Sequence, residues 1–318
     1  ITEAGAISSW LAAATAHYNY GVPMIPFYTF YSMFGFQRIG DQLWAAGDSR
    51  ARGFLLGATA GRTTLNGEGL QHQDGQALLI ASTFPSCLSY DPTFAYEVAV
   101  LVQKGMERMF GNGEDVFYYI TLLNENYTHP ELIPGSEEGI NRGMYLYKKG
   151  AAGERRVQLM GSGAIFREVI AAADLLEQDF DVQADIWSVL GINQLYREGI
   201  VVEDWNRMHP GQVPRKTYIE EVMEGFEGPA VIATDYVQAY GEQVRRYIPN
   251  SLTVLGTDGF GRSDSREVLR RFFKVDKFYI VIAALQGLAA QGSLAPETVS
   301  KAIKMYDLDP EAPHAISQ

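Results

Sequence analysis

The sequence is poor in the residues from which disulfides and metal clusters are built. Its 318 residues include one cysteine, Cys87, and five histidines. A single cysteine cannot form an internal disulfide, and it leaves no cluster of thiolates for a metal. Because Cys87 lies among strand-like residues, we interpret it as a buried structural thiol and not as a nucleophile. The sequence predicts no metal site within the chain and is typical of the reducing cytoplasm.

Long apolar runs and positive charges are also scarce. The longest apolar runs, such as FYIVIAAL at 278–285, are far too short to span a bilayer, and no basic and apolar leader opens the chain. Lysine and arginine number 26 against 38 aspartates and glutamates, which gives a formal net charge of −12. Since an acidic surface repels phosphate backbones, we expect neither a nucleic acid nor a membrane as a partner.

What the sequence does contain is apolar residues in an alternating pattern of strands and helices. Apolar residues make up 47% of the chain, and 318 residues are many for one core. Strand-like stretches such as FLLGATAG at 54–61 and VFYYITLL at 116–123 alternate with helical ones. This alternation predicts an α/β protein of two doubly wound domains with mostly parallel sheets. We interpret residues 124–155, with their Pro, Gly and charge, as a linker.

Several local signals predict where helices begin. Asp91 is a candidate N-cap for the helix that follows it, and Asp264 with Glu267 forms a candidate capping box. Helical spacing also favours helices over residues 71–83 and 277–305.

The stretch TTLNGEGLQHQDGQ, residues 63–76, follows a predicted strand. In an open α/β sheet, ligands bind at the carboxyl ends of the strands. Gly67 and Gly69 allow a ligand to approach the backbone, and Glu68 and His72 could serve as an acid, a base or substrate contacts. An ordinary polar turn accounts for the same residues, and spacing alone slightly favours that turn.

Aromatic residues concentrate in PFYTFYSMFGFQR, residues 26–38. Most of these rings are expected in the core. Tyr31 and Phe34 are three residues apart and share a face if a helix begins there. Such a pair can hold a flat heterocycle, with stacking worth about 0.5–1.5 kcal/mol.

Other glycine-rich stretches give weaker signals. Gly161 and Gly163 hint at a dinucleotide loop, but Phe166 stands where the third glycine belongs, so a turn that starts a helix is the better interpretation. The stretch GTDGFGRSD, residues 256–264, lacks the Lys and Ser/Thr of a phosphate loop and is interpreted as a turn with a helix cap.

Taken together, six stretches resemble the decarboxylating component of the pyruvate dehydrogenase complex, of the homodimeric bacterial kind. They are ITEAGA, FYSMFGFQRIGD, ATAGRTTLNGEGLQHQDG, SYDPTFAYEVAV, YYITLLNENY and LGTDGFGRSDSRE. The resemblance covers the whole chain and is to the C-terminal portion of an enzyme in the transketolase-like superfamily, whose members use thiamine diphosphate.

The resemblance implies two domains. Residues 1–132 would be a pyrimidine-binding domain, incomplete at its start, and residues 133–318 a transketolase C-terminal-like domain that includes a linker at 133–155. The family's metal-binding GDG motif with its downstream Asn is absent. The ligands of Mg²⁺ and of the diphosphate are therefore expected outside this chain, in the N-terminal portion of the same enzyme.

The implied activity is the oxidative decarboxylation of pyruvate on thiamine diphosphate, with reductive acetylation of a lipoyl domain of the dihydrolipoyl acetyltransferase. The implied assembly is a homodimer. A transketolase or a 2-oxoglutarate-type dehydrogenase is an alternative, against which YSMFGFQRIGD and GEGLQHQDG argue. A further alternative is a dimerisation or docking fragment that is inert when isolated.

The resemblance also assigns roles to residues. Glu3 matches the glutamate that hydrogen-bonds the aminopyrimidine ring and promotes the tautomer that removes the thiazolium proton. Tyr31 and Phe34 match the aromatic pair that sandwiches this ring. His72 matches the histidine near the substrate end of the cofactor, which transfers a proton or stabilises the adduct.

Three further residues are expected around the same site. Glu68 lies close to His72 in sequence and is expected to support it. Arg38, one helical turn after Phe34, is expected to border the ring pocket, with an ordinary surface arginine as the alternative. Ile1 falls near the apolar group that bends the cofactor into a V shape.

Overall fold

The computed structural model describes residues 2–318 and contains two sheets, one from each half of the chain. The first has four strands in the order β1-β2-β4-β3, all parallel. The second has five in the order β5-β7-β6-β8-β9, of which only β5 is antiparallel to its neighbour. The strands are β1 Phe27–Tyr31, β2 Phe54–Ala58, β3 Cys87–Tyr90, β4 Phe117–Thr121, β5 Tyr145–Lys148, β6 Arg156–Gly161, β7 Gln183–Ser188, β8 Ala230–Ala233 and β9 Leu252–Leu255.

Helices cover the sheets and supply most of the remaining core. They are α1 Glu3–Ala14, α2 Ala16–Tyr20, α3 Gly35–Asp48, α4 Ala77–Ala81, α5 Ala95–Met106, α6 Glu137–Arg142, α7 Phe166–Phe180, α8 Ile192–Met208, α9 Tyr218–Val222, α10 Gln238–Glu242, α11 Arg266–Phe272, α12 Lys277–Ala290 and α13 Pro296–Met305. Helices α1 and α3 pack together beside the first sheet, while α7 and α12 pack together on the second. The predicted α/β class is confirmed.

The position of each strand explains its residue types. Strand β4 lies inside the first sheet, and all five of its residues are buried, as expected for an aromatic and β-branched strand covered on both faces. Strand β1 forms one edge of that sheet. Phe30 of β1 is buried, but Phe27 and Tyr31 are exposed. This edge strand therefore exposes one aromatic ring at each end, with Tyr31 at the carboxyl end.

The helix predicted over residues 71–83 is much shorter in the structure. Only Ala77–Ala81 is helical, because the buried carboxylate of Asp74 accepts the backbone N–H groups of Gln76 and Ala77, both at 2.9 Å. Asp74 thereby starts the helix late. His72 consequently lies in a loop and not on a helix.

Two predicted helix starts were wrong. Asp91 is not an N-cap: it is fully buried and accepts hydrogen bonds from Thr121 Oγ1 at 2.6 Å and Ser162 Oγ at 2.7 Å. The α11 helix is capped by Ser265, whose hydroxyl accepts the N–H of Val268 at 3.4 Å, and not by Asp264. Tertiary partners bind Asp91 in the interior, whereas Ser265 takes the capping role from Asp264.

The predicted linker contains regular structure. Helix α6 and strand β5 both lie within residues 124–155, and β5 pairs antiparallel with β7. Sequence periodicity did not reveal them because each element has only four to six residues.

Two fully buried aspartates join the halves of the chain. Asp235, after β8, accepts the N–H of Thr63 at 3.1 Å with each of its oxygens, and Asp91, after β3, accepts from Ser162. Burial raises the pKa of Asp91 to about 6 and that of Asp235 to about 7. Ionising either carboxyl therefore opposes folding.

We expect the free energy of unfolding of the Asp235→Asn chain to fall less with rising pH than that of the unchanged chain. The folded chain keeps a proton on Asp235 that the unfolded chain releases above about pH 4, so this group lowers stability as the pH rises towards 7. At about 1.36 kcal/mol per pH unit, the loss is roughly 4 kcal/mol in total and about 3 kcal/mol between pH 4.5 and pH 8, and asparagine does not titrate. Urea unfolding at pH 4.5 and pH 8 measures it. Replacement of the exposed Asp41 by Asn is the control; parallel pH dependences for Asp235→Asn and the unchanged chain would contradict the expectation.

Candidate active site

The predicted site residues meet at the carboxyl ends of β1 and β2. Tyr31 is the last residue of β1, and Phe34 immediately precedes α3. Arg38 lies in the first turns of α3, Glu3 opens α1, and the loop 59–76 runs from β2 to α4. The ends of neighbouring parallel strands, where ligands bind in such sheets, thus bring together residues far apart in sequence.

Glu3 is held by its position on the helix and by Arg38. Thr2 caps α1, its hydroxyl accepting the N–H of Gly5 at 3.3 Å, so Glu3 occupies the first turn. Arg38 Nη1 lies 2.5 Å from Glu3 Oε1. The backbone N–H of Glu3 itself, followed by the Arg38 guanidinium, lowers the pKa of the Glu3 carboxyl. At neutral pH this carboxylate is a hydrogen-bond acceptor at the border of the site.

Tyr31 and Phe34 form a single aromatic wall. Their ring centroids are 5.9 Å apart with 47° between the planes, so the rings meet at an angle and do not face each other as a parallel slot. The guanidinium carbon of Arg38 lies 4.2 Å from the Phe34 ring centroid. Tyr31 is 42% exposed. The wall can stack against one face of a flat ring, with Arg38 and Glu3 at its edge.

His72 completes the same cluster. Its ring meets Tyr31 and Phe34 edge-on, at centroid distances of 5.8 and 5.4 Å. Its Nδ1 is buried and has no hydrogen-bond partner among residues 2–318, although Glu68 Oε2 lies 3.5 Å away. This approach is an electrostatic contact and not a hydrogen bond, because 3.5 Å lies beyond the usual range for an N–H···O bond. An imidazole nitrogen with free capacity, beside an acid, can accept or deliver a proton.

A buried polar group beneath the aromatic wall was not found from the sequence. Ser32 donates a hydrogen bond to Asp74 and lies 3.1 Å from Tyr119 Oη, and Ser32, Asp74 and Tyr119 are all fully or almost fully buried. Ser32 follows Tyr31 in the chain, and Asp74 lies two residues after His72. The group therefore ties the aromatic wall to the loop. Asp74 stood in the conspicuous motif, but no local spacing points to its partners.

The structure brings together Glu3, Tyr31, Phe34, Arg38, Glu68 and His72, all six of the predicted site residues that it describes. Ile1, the seventh, lies outside the described residues. Within residues 2–318, no group of three or more His, Cys, Asp or Glu side chains could hold a metal ion. None of the helices described there is both long and apolar enough to cross a membrane. The chemical roles of the six residues stay predictions.

Two families match most of the chain. Residues 1–130 match the pyruvate dehydrogenase E1 component middle domain, and residues 143–276 match the transketolase-like C-terminal domain.

Curated relatives extend the match to nearly every residue. The pyruvate dehydrogenase E1 component of Pseudomonas aeruginosa is 57% identical over 98% of this chain and 36% of its own length. The component of Cupriavidus necator is 54% identical over 100% of this chain and 36% of its own length, and that of Escherichia coli K12 is 53% identical over 97% and 35%. The chain thus spans little more than a third of the relatives it matches.

Solved structures share the fold at low identity. Transketolase from Campylobacter jejuni superposes with a TM-score of 0.66 at 16% identity, covering 87% of this chain and 38% of that one. A split-gene transketolase, described as an inactive β4 tetramer, has a TM-score of 0.61 at 15% identity and covers 91% of this chain and 82% of that one.

Proposed function

Since this chain resembles the pyruvate dehydrogenase E1 component over nearly its whole length, we propose that it is part of such an enzyme and forms one wall of its thiamine diphosphate site. The proposed reaction is the oxidative decarboxylation of pyruvate with reductive acetylation of a lipoyl domain. The observation that carries the proposal is the convergence of Glu3, Tyr31, Phe34 and His72 on one corner of the first sheet.

The residues fit the aminopyrimidine part of the cofactor. Tyr31 and Phe34 offer an accessible aromatic wall, and Glu3 places a carboxylate beside it. When bound, thiamine diphosphate supplies the nucleophile and the electron sink for removal of the carboxylate of a 2-oxo acid. Glu3 would hold the ring nitrogen of the bound cofactor through a hydrogen bond, while Arg38 keeps the Glu3 carboxylate in place. The two aromatic rings would exclude water from one face of the heterocycle.

His72 is proposed to act at the substrate end. Its Nδ1, which has no hydrogen-bond partner among residues 2–318, is available to a substrate group, and the Glu68 carboxylate lies 3.5 Å away from it. Tyr31 and Phe34 meet the His72 ring edge-on. The two rings proposed to stack on the cofactor therefore also hold the side chain proposed to transfer a proton.

The remainder of the site is proposed to come from other polypeptide. We assign residues 1–132 to a pyrimidine-binding domain and residues 133–318 to a transketolase C-terminal-like domain. Mg²⁺ and the diphosphate are assigned to the N-terminal portion of the enzyme, across a homodimer interface. The lipoyl domain of the acetyltransferase is the acyl acceptor.

Replacing Phe34 by Ala tests the ring wall. In the complete enzyme we expect the Kd for thiamine diphosphate to rise about 10- to 100-fold, because the ring loses stacking and apolar contact worth about 1.5–3 kcal/mol. Calorimetric titration at fixed Mg²⁺ measures the Kd. Trp44→Ala removes an exposed aromatic ring from α3, ten residues after Phe34, and is the matched control. Equal affinities for the Phe34→Ala and Trp44→Ala enzymes would rule out the assignment.

A further inference from the structure

The loop that carries Glu68 and His72 is bonded to the second half of the chain along its whole length. We name residues 257–270, which follow β9 and enter α11, the clamp segment. Its contacts with the loop 59–76 join residues up to 207 positions apart in the chain. The sequence predicted only a turn with a helix cap at the glycine-rich start of the clamp segment, and no contact with the predicted site.

Gln73 makes the central contact, directly after His72. Its side chain is fully buried. Its Nε2 donates to the carbonyls of Leu65 at 2.8 Å and Arg262 at 2.7 Å, and its Oε1 accepts the N–H of Arg262 at 2.7 Å. The backbone carbonyl of Gln73 accepts from Arg62 Nη1 at 3.0 Å. Both ends of the amide are thus satisfied, and a two-way bond locks Gln73 to the backbone of Arg262.

Close backbone packing surrounds this bond. Leu70 and Gly261 form an isolated antiparallel bridge. A Cβ on Gly261 would lie 2.5 Å from Gln73 Oε1, so only glycine leaves room for the amide. Gly69 has a φ of +82°, and a Cβ there would lie 2.7 Å from Ser263 Oγ. The contact therefore depends on glycine from both sides.

Two arginines fasten the start of the loop to the same segment. Arg266 Nε donates to the carbonyl of Thr64 at 2.7 Å. Arg270 Nε donates to Thr63 Oγ1 at 3.3 Å, while its other nitrogens bind Glu125 and Glu168. Because Arg270 is almost fully buried, this charged group is fixed in one orientation.

We propose that Gln73 and the clamp segment position His72 for the reaction. The second half of the chain thereby sets the geometry of a site to which this chain contributes six described side chains, all from its first half. Gln73 is a positioning residue and touches none of the reacting groups. The expected loss of kcat rests on the proposed function. The positional statement, that Gln73 and the clamp segment hold His72 in place, concerns the folded chain alone.

Spectra of the chain labelled in its histidine rings test the positional statement. With only five histidines, His72 is assigned by comparison with His72→Asn. In the unchanged chain the Tyr31 and Phe34 rings, which meet the His72 ring edge-on, should shift the His72 signal away from that of an exposed histidine. We expect Gln73→Leu and Gly261→Ala each to move it towards the exposed position. Gly261→Ala lies outside the loop and removes no hydrogen-bonding group. It therefore tests the same contact with Gln73 if Gln73→Leu fails to fold.

Arg197→Met is the matched control. Arg197 also joins the two halves, donating to the carbonyls of Cys87 at 2.6 Å and Phe84 at 2.7 Å, but it does not contact the loop. We expect this variant to lose stability while the His72 signal stays in place. A folded Gln73→Leu or Gly261→Ala chain with an unmoved His72 signal would overturn the proposal, as would an equal displacement in Arg197→Met.

Kinetics of the complete enzyme then measure the consequence. A misplacement of about 1 Å costs up to about 100-fold in rate, so we expect Gln73→Leu to lower kcat about 10- to 100-fold with a smaller change in KM. An unchanged kcat would overturn the positioning role. If His72→Asn itself leaves kcat unchanged, the proposed role of His72 fails, whereas the spectra still decide whether the clamp segment holds the loop.

Discussion

Replacing Glu3 by Gln in the complete enzyme should lower the rate of pyruvate decarboxylation by about 100- to 10,000-fold and leave the fold intact. The amide keeps the size of the side chain and can still accept a hydrogen bond, but it cannot share a proton with a ring nitrogen at neutral pH. Glu3 lies on the surface of α1 with its side chain 30% exposed, so its replacement opens no cavity. The direct measurement is the exchange of the thiazolium carbon proton with deuterated solvent, followed by NMR after acid quenching.

The control for this experiment is Glu297→Gln. Glu297 also lies in the first turn of a helix, α13, and is exposed. The loss of a favourable charge at a helix N-terminus is therefore common to both variants, and it costs typically about 0.3–1 kcal/mol. Thiazolium exchange in the Glu3→Gln enzyme as fast as in the Glu297→Gln enzyme would exclude the proposed role of Glu3.

The purified 318-residue chain, supplied with thiamine diphosphate and Mg²⁺, should give no pyruvate decarboxylation. Residues 2–318 contain no cluster of side chains suited to a metal, and the diphosphate needs such cationic compensation to be held. The described site is one wall, with Tyr31 open to the surroundings, so water has access to the reacting centre. The relatives are almost three times as long as the chain, which matches 36% of their length.

Addition of the part of a complete enzyme that this chain does not contain should restore activity. The restored activity must depend on this chain, so a parallel mixture that contains Glu3→Gln should remain inactive. Release of CO₂ from labelled pyruvate, with an artificial electron acceptor, gives the readout. Turnover by the chain alone would contradict both the expected lack of activity and the assignment of the diphosphate to other polypeptide.

Sequence patterns predicted the strands well because their signals are local. The run at 116–123 is aromatic and β-branched, and it became the buried central strand Phe117–Thr121. The helix over 71–83 was overextended because helical spacing does not show that Asp74 turns inward to bond Ser32. Asp91 failed as a cap for a similar reason, since Ser162 is 71 residues away and only the folded chain brings them together.

Residue spacing predicted some members of the site, and only the resemblance of the long motifs predicted the others. Spacing alone gave the Tyr31 and Phe34 pair and left His72 as a possible turn residue. The long motifs gave the other members, and their resemblance to the pyruvate dehydrogenase E1 component is confirmed by the relatives. The angled arrangement of the two rings, the contact of Arg38 with Phe34 and the support by Gln73 follow from tertiary packing, which no pattern within a single stretch encodes.

The bond between Gln73 and Arg262 also bears on the order in which the molecule folds. Its partners are 189 residues apart, so it closes one of the longest chain loops in the protein. Closing so long a chain loop has an entropic cost that must be offset before the contact stabilises the fold. We therefore expect this contact to form late on the folding pathway. Helices such as α7 can form early from local contacts, but the His72 loop cannot settle until both sheets exist and have met. A nascent or partly unfolded chain therefore lacks the proposed arrangement around His72, and recovery of the His72 signal during refolding should report a late step of folding.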